Sequence, residues 1–167
     1  MRLVFLLLAL SAACQGCASR PEAPSASNWR RRELLGISLE APYEFIPSGD
    51  QLENVEIVTS LKPIEVNQAI EIRIDAMRFP QRTTPMTLEE WAQTRCSKLE
   101  DASSYSLATT AVGGLEARRC SSTLKGGMHI ESIVFIRDGV YWHVDVFCLS
   151  NSLAADAQRA IDSIQLR

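Results

Sequence analysis

Met128 to Cys148 reads MHIESIVFIRDGVYWHVDVFC, two apolar runs around an Asp138-Gly139 pair. Asp-Gly between apolar runs is the strongest short-range signal for a two-residue β-hairpin. Such a turn fixes the register. Arg137 then faces Val140, Phe135 faces Trp142, Ile133 faces Val144 and Glu131 faces Val146. On the other side Ile136 meets Tyr141, Val134 meets His143 and Ile130 meets Phe147. Both faces are largely apolar, which predicts a central hairpin with cover on both sides.

The rest of the pattern supplies neighbours and cover. Ile70, Ile72, Ile74 and Ala76 alternate with Glu71, Arg73 and Asp75, a strand with one core face and one charged face. Leu35, Ile37 and Leu39 predict a strand stopped by Pro42 and Pro47, and Leu52 to Ser60 predicts another. Residues 62–67 read as a loop. Thr87-Leu-Glu-Glu90 is a capping box opening a helix to about Leu99, with Leu88, Trp91, Ala92, Arg95, Cys96 and Leu99 on one face. Trp91 is read as a core anchor. Asp101 to Thr110 is polar and rich in Ser and Thr, and reads as a loop with room for a short strand. Gly113-Gly114 leads into a strand from Leu115 to Ser122. A last helix, capped by Asn151 or Ser152, carries Leu153, Ala157, Ala160, Ile161 and Ile164 as its apolar stripe.

The N-terminal segment is of another kind. Leu3 to Leu10 is an apolar run of eight residues, and a membrane-spanning helix needs about 20. Arg2 precedes it and Ser11, Ala12 and Ala13 follow, so residues 1–13 are expected to be a secretory signal peptide. Leu-Ser-Ala-Ala-Cys resembles the lipobox of bacterial lipoproteins. That resemblance implies a diacylglycerol on the Cys14 thiol, cleavage before it and acylation of the new amino group. Several acyl chains give a stable membrane anchor, since each buried CH₂ contributes about 0.8 kcal/mol. Ser three places before Cys14 stands where Leu is commoner, and ordinary cleavage after Ala13 would release a soluble protein. Cys17 is a poorer acceptor. Gln15 after the acylated position resembles outer-membrane sorting, so the expected location is the outer membrane, facing the periplasm.

Residues 14–32 are expected to be the lipidated cysteine and a flexible tether rich in Ala, Ser and Pro. The Trp29-Arg30-Arg31-Arg32 run at its end has two readings, a solvated charge run or a rest for anionic headgroups. The domain is placed at residues 33–167. At 46% hydrophobic and 22% charged the chain is ordinary globular material. Its formal charge of −3 becomes −4 once Arg2 leaves with the leader, and no basic field exists to hold nucleic acid.

Order and spacing together carry a second resemblance. GISLEAPYEFIP, TLEEWAQ, VGGLEARRC, SIVFIRDGVYWHVDVF and AADAQRAIDSIQL follow one another as in the PsbP-like domains, whose bacterial branch includes small lipoproteins of the DcrB and LpqN type. The resemblance implies an α+β fold, an α/β/α sandwich in which a predominantly antiparallel sheet is covered by helices on both faces. It implies an accessory or binding role and no shared catalytic motif.

Candidate chemistry is sparse. His129, Glu131 and Cys148 can be imagined as a zinc set, but a zinc site needs three or four convergent ligands, and strand-end polar residues beside a buried thiol are the preferred reading. His143 and Asp145 share a strand face. No G-x-S-x-G elbow, dinucleotide fingerprint or phosphate loop is present. Glu89 and Glu90 suit a helix start. No catalytic residue, metal or cofactor is therefore assigned. An exported protein pairs its cysteines. A helix-to-strand disulfide is expected, Cys96–Cys120 ahead of Cys96–Cys148, leaving an odd thiol that is buried or paired with Cys17. Cys120 and Cys148 lie two strands apart, roughly 9–10 Å, too far to bridge. The expected function is that of a non-catalytic, lipid-anchored envelope protein with another envelope protein as partner. The alternative is a carrier of a lipid or apolar small molecule.

Overall fold

A computed structural model describes residues 24–25, 28–34, 36–48, 55–64 and 69–167. The apolar leader, Cys14, Cys17 and most of the tether lie outside the described residues. The first strands are β1 (Arg30–Glu33), β2 (Ile37–Ala41) and β3 (Phe45–Pro47). Next come β4 (Glu56–Pro63), β5 (Ile70–Arg78) and α1 (Leu88–Arg95). A run of four strands follows: β6 (Ala102–Val112), β7 (Leu115–Leu124), β8 (His129–Arg137) and β9 (Val140–Cys148). The chain closes with a 3-10 turn at Asn151–Leu153, α2 (Ala154–Asp162) and β10 (Gln165–Leu166).

Seven strands form one antiparallel sheet in the order β3-β4-β5-β9-β8-β7-β6. The β8–β9 hairpin is central and has the predicted register throughout. Asp138 and Gly139 both take positive φ, 53° and 71°, which is the type I′ geometry that suits the twist of a hairpin. β1, β2 and β10 form a second sheet of three strands.

Strand alternation sorts the core into two clusters. Ile133, Phe135, Trp142, Val144, Val146 and the Ile70–Ile72–Ile74 row pack with Ile37 and Leu39 of β2 and with Ala157, Ala160 and Ile161 of α2. At its centre the Phe135 and Trp142 rings stack 5.8 Å apart with 5° between their planes. Gly36, at φ +88°, lies under this stack, and a Cβ there would meet the Trp142 ring at 3.1 Å. On the opposite side Val134, Tyr141 and Met77 pack with Trp91, Ala92 and Cys96 of α1. The covers are unequal: α2 and the small sheet close one face, whereas α1 covers part of the other and leaves Arg73 exposed. The body is thus an antiparallel, sheet-dominated α+β fold with two short helices.

Several elements differ from expectation. Folded structure begins before Glu33: Trp29 is 4% exposed within the α2-side cluster, with the Arg159 guanidinium 4.7 Å from its ring centre. Arg31 donates to Ser38 Oγ and Ser163 O, each at 3.1 Å, and Arg32 pairs with Glu44. Arg30, Arg31 and Arg32, expected at the end of the tether as a solvated charge run or a rest for headgroups, belong to the edge strand β1, on which Arg30 and Arg31 stay exposed. β4 runs on through Lys62 and Pro63, where the sequence pattern predicts a loop. The segment after Asp101 is an eleven-residue edge strand, β6. An edge strand exposed on both faces needs no apolar alternation. α1 ends at Cys96, which caps it, and Leu99 lies beyond the helix, 41% exposed. Neither Asn151 nor Ser152 caps α2 with its side chain. Asn151 Oδ1 instead accepts from Thr123 Oγ1 at 3.4 Å, and Ser152 Oγ meets Ser150 Oγ. Ile164 lies past the helix, just before β10, and is buried there.

The Thr87 capping box is complete: Thr87 Oγ1 accepts the Glu90 amide at 3.2 Å and Glu90 Oε2 accepts the Thr87 amide at 2.7 Å. The backbone N–H of Thr87, with its hydroxyl, holds the Glu90 carboxyl below its usual range. A depressed carboxyl contributes stability that is present above its unfolded pKa, about 4.3, and is lost as pH falls through the lower folded value. Acid titration of folded stability should therefore be less steep for Glu90→Gln than for the parent. Thr87→Ala should cost about 1 kcal/mol in urea denaturation.

Candidate functional site

The partly covered face holds the more open chemistry. Alternation along β9 turns Tyr141, His143, Asp145 and Phe147 to this side, and β8 adds Ile130, Ser132 and Val134. Trp91 is the anchor. It is 1% exposed, and its indole Nε1 donates to Trp142 O at 2.9 Å. Its ring stands edge-on to Tyr141 at 5.7 Å and to His143 at 6.3 Å, and the Arg95 guanidinium lies 4.8 Å from its centre. Trp91 is core, as its helix position implied.

Beyond the last turn of α1 a groove of about 140 Å³ opens over the sheet. Leu99, Tyr105, Ile130 and Phe147 give it apolar walls, Ser132 and Asp145 polar ones, and Cys96 and Cys120 line it too. A second groove, about 230 Å³, lies among Arg78, Phe79, Arg82, Pro85 and Tyr141. Pockets for drug-sized ligands run from about 300 to 1,000 Å³, so these grooves match a partner's side chain better than a whole lipid.

Ser132, Asp145 and His143 meet beside the first groove, but in an order unsuited to nucleophilic catalysis. Asp145 stands in the middle. The Ser132 hydroxyl donates to its Oδ1, and His143 Nε2 lies 2.7 Å from the same oxygen, off the line of a hydrogen bond. A nucleophilic serine needs the histidine next to its hydroxyl, with the carboxylate behind the ring. Here no hydrogen bond joins His143 to Ser132, and the carboxylate takes the serine proton's attention. Sequence reasoning paired His143 with Asp145 but missed Ser132, whose place follows from the hairpin register, Ser132 opposite Asp145.

The opposite face carries a buried polar chain. His129 Nε2 lies 3.1 Å from Glu131 Oε2, and its Nδ1 lies 3.3 Å from Thr123 Oγ1. Glu131 Oε1 accepts from Arg119 Nε at 2.6 Å, and Arg119 Nη1 donates to Asp162 Oδ1 of α2 at 2.6 Å. Glu131 is 6% exposed, so its charge is held by this pairing and by no solvent. Cys148 sits opposite His129 in the register, with its Sγ directed to Leu153 O at 3.5 Å. Burial, reinforced by Asp156 and Glu131, pushes its thiol up to about 12. It is a protonated, inert thiol at neutral pH. Among the described residues no three His, Cys, Asp or Glu side chains are arranged to hold a metal ion, and His129, Glu131 and Cys148 do not converge on one point.

Cys96 and Cys120 are joined as a disulfide, with Cα atoms 5.7 Å apart and a sequence separation of 24. The Cys96–Cys148 alternative is excluded by sheet parity. Cys96 belongs to the α1-side cluster and Cys148 to the α2-side cluster. The bridge ties the end of α1 to β7, next to the edge of the sheet. Reduction, or Cys96→Ser with Cys120→Ser, should lower stability by roughly 3 kcal/mol, read as a shift in the urea midpoint. Cys148 should resist alkylation in the native state and react once the protein is unfolded.

No protein-family model matches the chain, and no curated protein matches it. Solved structures do. The solution structure of cyanobacterial PsbP (CyanoP) from Synechocystis sp. PCC 6803 is 10% identical, covers 91% of this chain and 100% of its own, and superposes with a TM-score of 0.54. LpqN of Mycobacterium tuberculosis, described as involved in cell envelope biogenesis, is 9% identical over 74% of this chain and 89% of its own, TM-score 0.40. A protein of unknown function from Pseudomonas aeruginosa is 13% identical over 77% of this chain and 88% of its own, TM-score 0.36. The likeness to CyanoP carries the conclusion the sheet order and helices had prepared: this chain has a PsbP-like fold.

Proposed function

We infer that this is an exported, lipid-anchored protein of the cell envelope that acts without catalysis, by binding another envelope protein or helping it assemble. The observation that carries the reading is the Cys96–Cys120 disulfide. Disulfides persist in oxidising compartments outside the cytoplasm, and residues 1–13 with Cys14 have the features of an export leader and a lipid-attachment cysteine. Among the described residues no helix is long and apolar enough to cross a membrane. A non-catalytic role is supported by the way the polar groups are used. Asp145 is engaged by the Ser132 hydroxyl, Glu131 by His129 and Arg119, and Cys148 is protonated.

The carrier alternative has less behind it. Ile70, Ile72, Ile74, Phe135, Val144 and Val146 are each 0% exposed, which leaves no room against them even for a water-sized guest. An apolar ligand would have to lie on the surface, or enter by moving α2.

Cys14→Ala tests the anchor. The variant should lose incorporation of labelled palmitate and move from the membrane to the soluble periplasmic fraction. A variant that stayed membrane-bound and was processed as before would remove the lipid anchor from this reading.

A further inference from the structure

We propose that the outer edge of β6 is a homotypic interface, through which two copies join their large sheets edge to edge, antiparallel and centred on Leu107. β6 ends the seven-stranded sheet, and no described residue pairs with its outer side. It runs for eleven residues, about 36 Å of strand. Alternate residues therefore offer N–H and C=O groups to a second strand.

Folded proteins normally blunt such an edge with charge, proline or brevity. The other edge of this sheet does so, since β3 has three residues and ends on Pro47. β6 has one irregularity, between Ala102 and Ser104. From there to Val112 it contains no charge, no proline and no glycine. Leu107 is 41% exposed in the middle of it.

The occupant is a second copy because the strand is complementary to itself. About a two-fold axis at Leu107, Leu107 meets Leu107, Ser106 meets Ala108, Tyr105 meets Thr109 and Ser104 meets Thr110. Apolar meets apolar, and hydroxyl meets hydroxyl or methyl. No like charges are opposed, a condition that matters for a chain of net negative charge. Every other described strand longer than three residues carries at least one charged side chain. Two such edges would form about ten main-chain hydrogen bonds, the number found in an ordinary protein interface. The apolar area is thin, so association is moderate in solution and strengthened wherever both copies are held on one surface. The interface stands on the strand itself and does not depend on the lipid anchor.

The test uses the mature full-length protein in native membranes and in detergent. Ser106→Cys and Ala108→Cys, each carrying a different tag, are co-expressed and oxidised, and so are Ser104→Cys and Thr110→Cys. These positions lie on the sheet face away from the Cys96–Cys120 bond. Each mixed pair should yield a covalent dimer bearing both tags, several-fold more than either member alone. Leu107→Lys, which places two ammonium groups together at the axis, should halve the sedimenting mass of the protein and leave its thermal unfolding intact. Cross-links to a different protein only, cross-links between copies through other surfaces only, or a single-copy mass for the parent with no mixed dimer would each overturn the proposal.

Discussion

A two-residue turn governs this molecule. Asp138 and Gly139 can be followed by one pairing of β8 with β9, and that pairing decides which side chains face α1 and which face α2. A slip of one residue would turn Glu131 and His129 to the face that Ser132 and Val134 now occupy. The Phe135–Trp142 stack, the Trp91 indole bond to Trp142 O and the opposition of Ser132 to Asp145 all follow from that register. Gly36 then lets the small sheet come down onto the stack, since a side chain there would be strained at φ +88° and would press its Cβ on the Trp142 ring.

The parts of the fold that the sequence displayed were those written in period. The hairpin, the Ile70–Ile74 row and the Thr87 capping box each combine a repeating pattern with a turn or cap residue, and the structure has them where they were read. Other parts have no such mark. β6 is exposed on both faces, so Ser and Thr fill both and the alternation vanishes. β1 is a run of arginines made into a strand by its ladder with β2, with Arg32 paired to Glu44 and Arg31 reaching across to Ser163 near the far end of the chain. β10 is two residues long and gains its place from β2. These are tertiary decisions, and a local reading of the chain has no access to them.

The candidate site was legible in its members more than in its meaning. His129, Glu131, His143, Asp145 and the three domain cysteines stood out by chemistry. Their roles depend on who stands between whom. A carboxylate between a serine and a histidine is a clamp, whereas a histidine between them would be a catalyst. A glutamate shared by a histidine and an arginine holds β7, β8 and α2 together through Asp162. Buried ionic groups of this kind add specificity of arrangement as much as stability.

β10 has a consequence for how the protein is made. Residues 165 and 166 hydrogen-bond to β2, Arg167 pairs with Glu33, and Arg137 reaches both Gly36 O and Arg167 O. The small sheet that closes the larger face thus joins segments over a hundred residues apart. During synthesis β2 has only β1 beside it until residues 165–167 are delivered, and contacts of such long sequence separation form late. On the export reading proposed above, that delay keeps the unfinished core threadable.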